Sequence, residues 1–368
     1  MGDLYIGLIS GTSMDGIDAA LVRFGDASLE LIQTHAHDYP PKLRRDLSVA
    51  KLDPNMRSIE DVGNLHKQVG ECFRDAANAL LDKAGVNASE VAAIGSHGQT
   101  IRHEPNATQP FSLQIGDANI IAAGTGITTV ADFRRADIEL GGQGAPLTPL
   151  FHEWLFHEPR ANRVVLNIGG IANVTVLYSG NSDTIGFDTG PGNTLLDAWI
   201  AAHQNEPFDR NGSWAAKGAV NSQLLSRLRE DTYFSLPPPK STGFEYFNLG
   251  WLESMGADEY DPTDVQATLC QLTAESIAAA IHEHAVGATH VFVCGGGVHN
   301  AELMRKLSAA VPGINVEPTG SVGLDPDWVE AVAFAWLAMR TTHGLTGNLP
   351  SVTGARQATV LGTTYRAV

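Results

Sequence analysis

The chain has 368 residues, 43% of them hydrophobic and 18% charged, so it is too long for one ordinary compact core and too apolar for a disordered chain; two globular domains are expected. Its 24 basic and 41 acidic side chains give a formal charge of −17, which argues against nucleic acid or an anionic membrane as the main partner and leaves any anionic ligand to local dipoles and a few placed cations. Cys72, Cys270 and Cys294 stand far apart without a CxxC pair or zinc-ligand spacing, and no signal-like or membrane-spanning apolar run is present, so reduced thiols and a cytoplasmic location are expected.

In chain order, Tyr5–Ile9 and Ala19–Val22 read as strands of a hairpin, with Gly11 to Asp18 as its tip. That tip is rich in hydroxyls and glycine amides, which suits a phosphate, although Met14-Asp15-Gly16 is also ordinary turn material. Val69, Cys72, Phe73, Ala76, Leu80 and Leu81 recur at helical spacing. A strand Val91–Ile94 runs into Gly95-Ser96-His97-Gly98-Gln99, and a short helix from Asp117 to Ala123 leads to a strand Ile127–Val130 that ends in Ala131-Asp132-Phe133-Arg134-Arg135. Helix and strand alternate, so the class is α/β.

The pattern restarts near residue 160. Arg163–Ile168, Gly169-Gly170 and Ile171–Leu177 repeat the design strand, glycine tip, strand, about 160 residues on, as a duplicated domain with a phosphate loop in each half would. Gly186-Phe187-Asp188-Thr189-Gly190-Pro191-Gly192-Asn193 follows, then a helix from Thr194 to His203, a polar proline-bearing stretch with a short helix at Ser222–Arg229, and a long alanine-rich helix over Asp264–Ala285. Thr289–Cys294 reads as a buried parallel strand, and it ends in Gly295-Gly296-Gly297-Val298-His299-Asn300 ahead of a helix at Ala301. Such a turn lets backbone approach a flat or anionic ligand closely, or simply caps a helix. A last helix, Trp328–Arg340, completes the chain's regular elements; no GxxxxGK[ST] and no GxGxxG after the first strand occurs, which sets aside P-loop and dinucleotide-binding classes.

Seven motifs occur in order: Gly11-Thr12-Ser13-Met14-Asp15-Gly16-Ile17-Asp18, Gly95-Ser96-His97-Gly98-Gln99-Thr100, Ala131-Asp132-Phe133-Arg134, Gly142-Gln143-Gly144-Ala145-Pro146-Leu147, Asn167-Ile168-Gly169-Gly170, Gly186-Phe187-Asp188-Thr189-Gly190-Pro191-Gly192-Asn193 and Cys294-Gly295-Gly296-Gly297. Together they closely resemble the anhydro-N-acetylmuramic acid kinase family of bacterial cell-wall recycling, over essentially the whole chain. The resemblance implies a two-domain actin-like, ribonuclease H-like α/β fold of hexokinase type, with domains at 1–150 and 151–368 around a central nucleotide and substrate cleft and the final helix packing back on the first domain. It implies ATP and Mg2+, a homodimer, and a reaction in which water opens the 1,6-anhydro bridge of the amino sugar while its O6 is phosphorylated. One position departs: Lys240-Ser241-Thr242-Gly243-Phe244-Glu245 carries Phe244 where the family usually has arginine.

On this resemblance, Gly11, Thr12, Ser13, Met14, Asp15, Gly16, Ile17 and Asp18, with Asn167, Gly169 and Gly170, bind the nucleotide phosphates as a backbone nest, and Gly295, Gly296, Gly297 and Asn300 underlie the adenosine. Asp188, ahead of a Gly-Pro-Gly turn, is the expected base that takes a proton from the attacking water; the alternative is an aspartate that satisfies the amides of its own turn. His97 and Gln99 are expected on sugar hydroxyls, Gly190 and Asn193 as further substrate contacts, and Arg134 on the substrate carboxylate, with Arg135 as second choice or as a surface partner of Asp132 or Asp137. Asp18 and Glu330 are the candidate magnesium ligands, directly or through water, against turn or helix-surface roles. Another sugar or acyl kinase of the same fold, and a nucleotide-gated binding module whose ATP turnover ignores sugars, are the competing functions.

Overall fold

The computed structural model describes residues 3–11, 14, 16–25, 28–52, 58–180 and 182–367. Thr12, Ser13 and Asp15 therefore lie outside the described residues. Among those described, the strands are β1 (Leu4–Ser10), β2 (Gly16–Phe24), β3 (Leu29–Asp38), β4 (Val91–Glu104), β5 (Phe111–Ile115), β6 (Thr129–Ala131), β7 (Asn162–Ile168), β8 (Ile171–Leu177), β9 (Ile185–Pro191), β10 (Ala288–Cys294), β11 (Asn315–Pro318) and β12 (Thr363–Tyr365).

The chain divides into two compact units. Unit 1 comprises residues 1–155 and 328–368, and unit 2 comprises residues 156–327. Trp328–Val368, which carries the final helix, groups with residues 1–155 and not with the rest of the expected second domain, 151–368. In unit 1 the sheet runs β12-β6-β4-β1-β2-β3, with β5 on β4; in unit 2 it runs β11-β10-β7-β8-β9. β1, β2 and β3 form an antiparallel meander, with β4 parallel to β1 and β6 parallel to β4. β7, β8 and β9 repeat that meander, with β10 parallel to β7 and β11 parallel to β10. The order β3-β2-β1-β4-β6 is thus matched by β9-β8-β7-β10-β11, the ribonuclease H-like core of an actin-type fold present twice.

Each central strand is buried on both faces, which is why it reads as a continuous apolar run. In β1, Leu4, Ile6 and Leu8 face the helix Ile59–Ala84 and join its Val69, Phe73, Ala76 and Leu80 in one core. That helix starts at Ser58, whose side chain accepts from Asp61 N, and stops at Gly85 with φ 64°, the left-handed end that glycine adopts without cost. On the opposite face of the sheet lies the helix Val329–Thr342. Its backbone comes so close that a Cβ on Gly7 would strike the Ala331 carbonyl and one on Gly95 the Phe334 carbonyl. In unit 2, Val164, Leu166 and Ile168 of β7 and Ala172, Val174 and Val176 of β8 pack with Val265, Leu269, Leu272, Ile277 and Ile281 of the helix Pro262–His284. Each large aliphatic side chain buried in this way contributes roughly 1.5–3 kcal/mol. Cys72, Cys270 and Cys294 are buried thiols, not joined in disulfides. No described helix is long and apolar enough to cross a membrane.

Gly7→Ala and Gly95→Ala should each destabilise the protein by about 3 kcal/mol, the upper range for overpacking, because helix backbone rather than a movable side chain opposes the new methyl. Urea unfolding of the two variants checks this; Gly126→Ala, where nothing lies near the added methyl but φ is 72°, serves as the strained but unclashed comparison.

Candidate functional site

In unit 1 the first glycine loop is shorter than expected, because β2 resumes at Gly16 and buries Ile17 in the core. Gly16 is opposed by the His37 carbonyl, and Asp18 stands in β2 in register with Ile9 of β1. Met14 holds φ 52°, and its side chain is buried. Gln99 is spoken for by the same loop: its Oε1 accepts from Ser10 Oγ at 2.7 Å, and its Nε2 donates to the Gly11 carbonyl at 3.3 Å. With 1% exposure, Gln99 braces the end of β1 from within.

His97 and Arg134 form a pair. Arg134 donates to His97 Nε2 from Nε at 3.2 Å and from Nη2 at 2.8 Å, which makes Nε2 the acceptor and assigns the ring proton to Nδ1, 3.0 Å from the Gly98 carbonyl. Burial, and then the guanidinium, hold the imidazole pKa well below its usual 6.5, so the ring is neutral. The ring also packs on Phe334, centroids 4.7 Å apart. Arg134 Nη1 donates to the Gly144 carbonyl at 2.8 Å, and desolvation pulls its pKa down to about 10, opposed by Glu330 and Asp137; it remains a cation at neutral pH. Asp137, fully buried, accepts from Gly144 N, Asn348 Nδ2 and Thr353 Oγ1 at 2.8, 2.6 and 2.7 Å, and so fixes the glycine loop on which Arg134 rests. Sequence reasoning offers Asp137 only as a surface partner; its place three residues after Arg134 is the one available signal. Arg135 is exposed and points to different neighbours, lowering the pKa of Asp132 against a larger rise from desolvation.

In unit 2 the glycine elements converge. The carbonyls of Gly169 and Gly170 accept from Gly192 N, Asn193 N and Thr194 N at 2.9–3.0 Å, which binds the tip of the β7–β8 hairpin to the start of the helix Thr194–Gln204. Asn193 Nδ2 donates to the Ile168 carbonyl at 3.3 Å, so this side chain secures the loop. A Cβ on Gly295 would strike Asn167 Oδ1, and one on Gly297 would strike Ile168, so the turn after β10 lies directly on the end of β7; Gly296 faces open space. Asn300 is 8% exposed, and its Oδ1 caps the helix Ala301–Ala310 by accepting from Leu303 N at 3.0 Å.

Asp188 lies inside β9, opposite Asn173 at a β-bulge. Three contacts from the segment after the helix Ser222–Arg229 hold it: Asp188 Oδ2 accepts from Thr242 N at 3.0 Å, its N donates to the Lys240 carbonyl at 3.1 Å, and its carbonyl accepts from Tyr233 Oη at 2.8 Å. Lys240 Nζ bonds the Tyr233 carbonyl at 3.2 Å and lies 4.8 Å from the centre of its ring. Gly190, at φ 150°, leaves room for Phe234. Desolvation raises the Asp188 pKa to about 7; the Thr242 amide and Lys240 oppose the rise, and Glu245 adds to it. The side chain is only partly covered, so this carboxyl is crowded by protein yet reachable by water. Tyr233 and Thr242 escape sequence reasoning because their segment has no periodic pattern. Phe244 is half-buried beside this brace, its carbonyl accepting from Asn248 Nδ2 at 3.3 Å.

Among the described residues no group of three or more His, Cys, Asp or Glu is arranged to hold a metal ion. Magnesium held through nucleotide phosphates needs only one or two carboxylates, a role Asp18 fits by charge and partial exposure. Glu330 fits it less well: it keeps solvent access, but desolvation raises its pKa and its charge already answers that of Arg134.

The family model for anhydro-N-acetylmuramic acid kinase matches residues 3–367. The anhydro-N-acetylmuramic acid kinase of Coxiella burnetii (strain Dugway 5J108-111) is 51% identical over 363 residues, 98% of this chain and 97% of that protein. The protein of that name from Vibrio cholerae serotype O1 is 51% identical over 366 residues, 99% and 98% of the two chains. Among solved structures, component A of the Acidaminococcus fermentans (R)-2-hydroxyglutaryl-CoA dehydratase is similar with a TM-score of 0.48 at 11% identity, over 91% of this chain and 96% of that one. A ROK family glucokinase from Streptomyces griseus is similar with a TM-score of 0.41 at 12% identity, over 92% and 99%. Matched from end to end by the family model and half identical to its named relatives, the chain belongs to the anhydro-N-acetylmuramic acid kinase family.

Proposed function

We propose that this protein uses ATP and water to convert 1,6-anhydro-N-acetylmuramic acid into N-acetylmuramic acid 6-phosphate, in peptidoglycan recycling. The observation that carries the reading is Asp188, a braced carboxyl with a pKa of about 7 that water can reach. In the proposed step a water oxygen bonds to the anomeric carbon as its proton passes to Asp188. The bond from that carbon to O6 breaks, O6 bonds to the γ-phosphorus, and the bond from phosphorus to ADP breaks. The leaving oxygen is captured by phosphorus and needs no proton, so one carboxylate does work for which glycoside hydrolases normally use two.

The remaining roles are part of the same proposal. The backbone of the loop at Gly11, together with Gly169 and Gly170, would cradle phosphates, as glycine-rich nests do, and Gly295–Gly297, with Gly296 facing open space, would lie under the adenosine. Arg134 would meet the substrate carboxylate while His97 stays its neutral partner. Magnesium would neutralise phosphate charge with Asp18 as the chain's own ligand. A cytoplasmic homodimer accompanies this reading.

Coupled ADP release is the test. With 1,6-anhydro-N-acetylmuramic acid the protein should turn over, Asp188→Asn should lose ~100-fold or more, and sugars lacking the anhydro bridge should be poor substrates. Turnover indifferent to the anhydro sugar would remove this function and leave only a kinase fold. Because the base must be ionised, the rate should rise with pH through about 7 and level off above it.

The same group predicts a stability effect that does not depend on catalysis. The folded pKa of about 7 exceeds the ordinary 3.8, so between these values the folded protein binds more protons than the unfolded chain. Stability from this group is complete below the unfolded value and is lost as pH rises through the folded one. Asp188→Asn, which keeps an oxygen for the Thr242 amide, should therefore melt above the wild type at pH 8 and approach it near pH 4. Thermal unfolding across that range decides; a gap independent of pH would contradict the assignment.

A further inference from the structure

β9 ends its sheet, and at Asp188 its main chain turns to an outside partner, the segment Lys240–Thr242. The Asp188 N–H donates to the Lys240 carbonyl at 3.1 Å, which is the first half of a parallel ladder. In such a ladder the second half runs from the Thr242 N–H to the Asp188 carbonyl. Here that bond is replaced. Thr242 N donates to the side-chain Oδ2 of Asp188 at 3.0 Å, and the Asp188 carbonyl accepts from Tyr233 Oη at 2.8 Å. The carboxylate has taken the place of its own main-chain oxygen.

The phenol that permits this exchange is held from several sides. Tyr233 is 4% exposed, and its ring meets Phe247 edge-on with centroids 5.4 Å apart. Its N–H donates to Asp231 Oδ1 at 2.9 Å, and its carbonyl accepts from Lys240 Nζ at 3.2 Å while that ammonium lies 4.8 Å from the ring centre. Burial, with Asp188 adding to it, pushes the phenol pKa upward, so the hydroxyl stays protonated and donates. A strand-edge carbonyl packed against protein needs a donor. With Tyr233 supplying one, the Thr242 amide is left for the carboxylate; without it, the amide that ladder geometry brings to the carbonyl is Thr242's own.

We propose that Tyr233 is a positioning residue for Asp188, which by occupying the Asp188 carbonyl keeps the Thr242 amide on the carboxylate. This rests on the reading of Asp188 as the base. Loss of the phenol oxygen closes the ladder, moves the amide to the carbonyl and strips the carboxylate of the donor that favours its ionised form. The Thr242 amide is the largest of the influences that oppose the rise in the Asp188 pKa, so the base becomes harder to ionise while substrate contacts stay in place.

Two measurements on the full chain test this: rate against pH with 1,6-anhydro-N-acetylmuramic acid, and a 13C titration of the aspartate carboxyls, in which the Asp188 signal is the one that Asp188→Asn removes. In Tyr233→Phe both inflections should move up by about one pH unit. The rate should then fall about fivefold at pH 7 and return to within about twofold of wild type by about pH 9.5, with KM for ATP unchanged. Tyr246→Phe removes a hydroxyl of the same aromatic cluster that donates to Asp231 at 2.8 Å, and it should leave both inflections where they are. A rate lowered equally at every pH, an inflection unmoved or moved down, or the same shift in Tyr246→Phe would overturn the assignment. If the wild type does not turn over the anhydro sugar, the kinase reading fails and the carboxyl titration alone decides the role of Tyr233.

Discussion

The helix Val329–Thr342 can lie on β1 and β4 only because positions 7 and 95 carry no side chain. This contact between a helix backbone and two strand backbones governs much of the chemistry of unit 1. It brings the Phe334 ring against His97 and Phe133, and it delivers Glu330 from the helix's first turn to the neighbourhood of Arg134. A neutral imidazole and a partly covered guanidinium then share one site, with the Glu330 carboxyl nearby. Burial and the guanidinium keep the imidazole neutral, while Glu330 and Asp137 oppose the fall in the Arg134 pKa.

Unit 2 solves a different problem, that of keeping a carboxyl crowded but usable. Burial alone would leave Asp188 protonated and inert, and full exposure would make it a weak base. The Thr242 amide and Lys240 moderate the desolvation, while the backbone bonds to Lys240 and Tyr233 fix where the side chain starts. The brace comes from an aromatic cluster, with Tyr233, Phe234, Tyr246 and Phe247 in contact and Trp251 against Phe247, so a stretch with only short helical turns is nonetheless firmly packed. Rigid support of this kind is what positions a base within reach of a single water.

The two glycine-tipped hairpins, the long helices and the buried β10 are legible because their apolar residues follow the period of the element they form. β3 is not: Leu29–Asp38 is partly exposed along its whole length, so its sequence carries little apolar alternation. Asp188 reads as lying ahead of a turn because Gly190, Pro191 and Gly192 follow it, yet β9 continues through Pro191, and Gly190 makes room for a crowded neighbour, Phe234. Gln99, Asn193 and Asn300 look like ligands because they flank glycine loops; in the fold Gln99 and Asn193 also hold backbone of those loops, and Asn300 also caps the helix that follows. A polar residue beside a glycine turn has two chemically equivalent uses, and only tertiary contacts distinguish them. The tie between Asp137 and Asn348, 211 positions apart, leaves no local trace at all.

The division of the chain also sets an order of assembly. Unit 2 is continuous, residues 156–327, and its sheet and core are complete as soon as that segment exists. Unit 1 is not: the helix that covers β1 and β4 and the edge strand β12 are made last. During synthesis from the N-terminus, the first sheet must therefore wait with one apolar face uncovered while the whole of the other unit emerges and folds. The nascent protein is open to aggregation and to chaperones at that face, and a chain truncated before Trp328 never closes it.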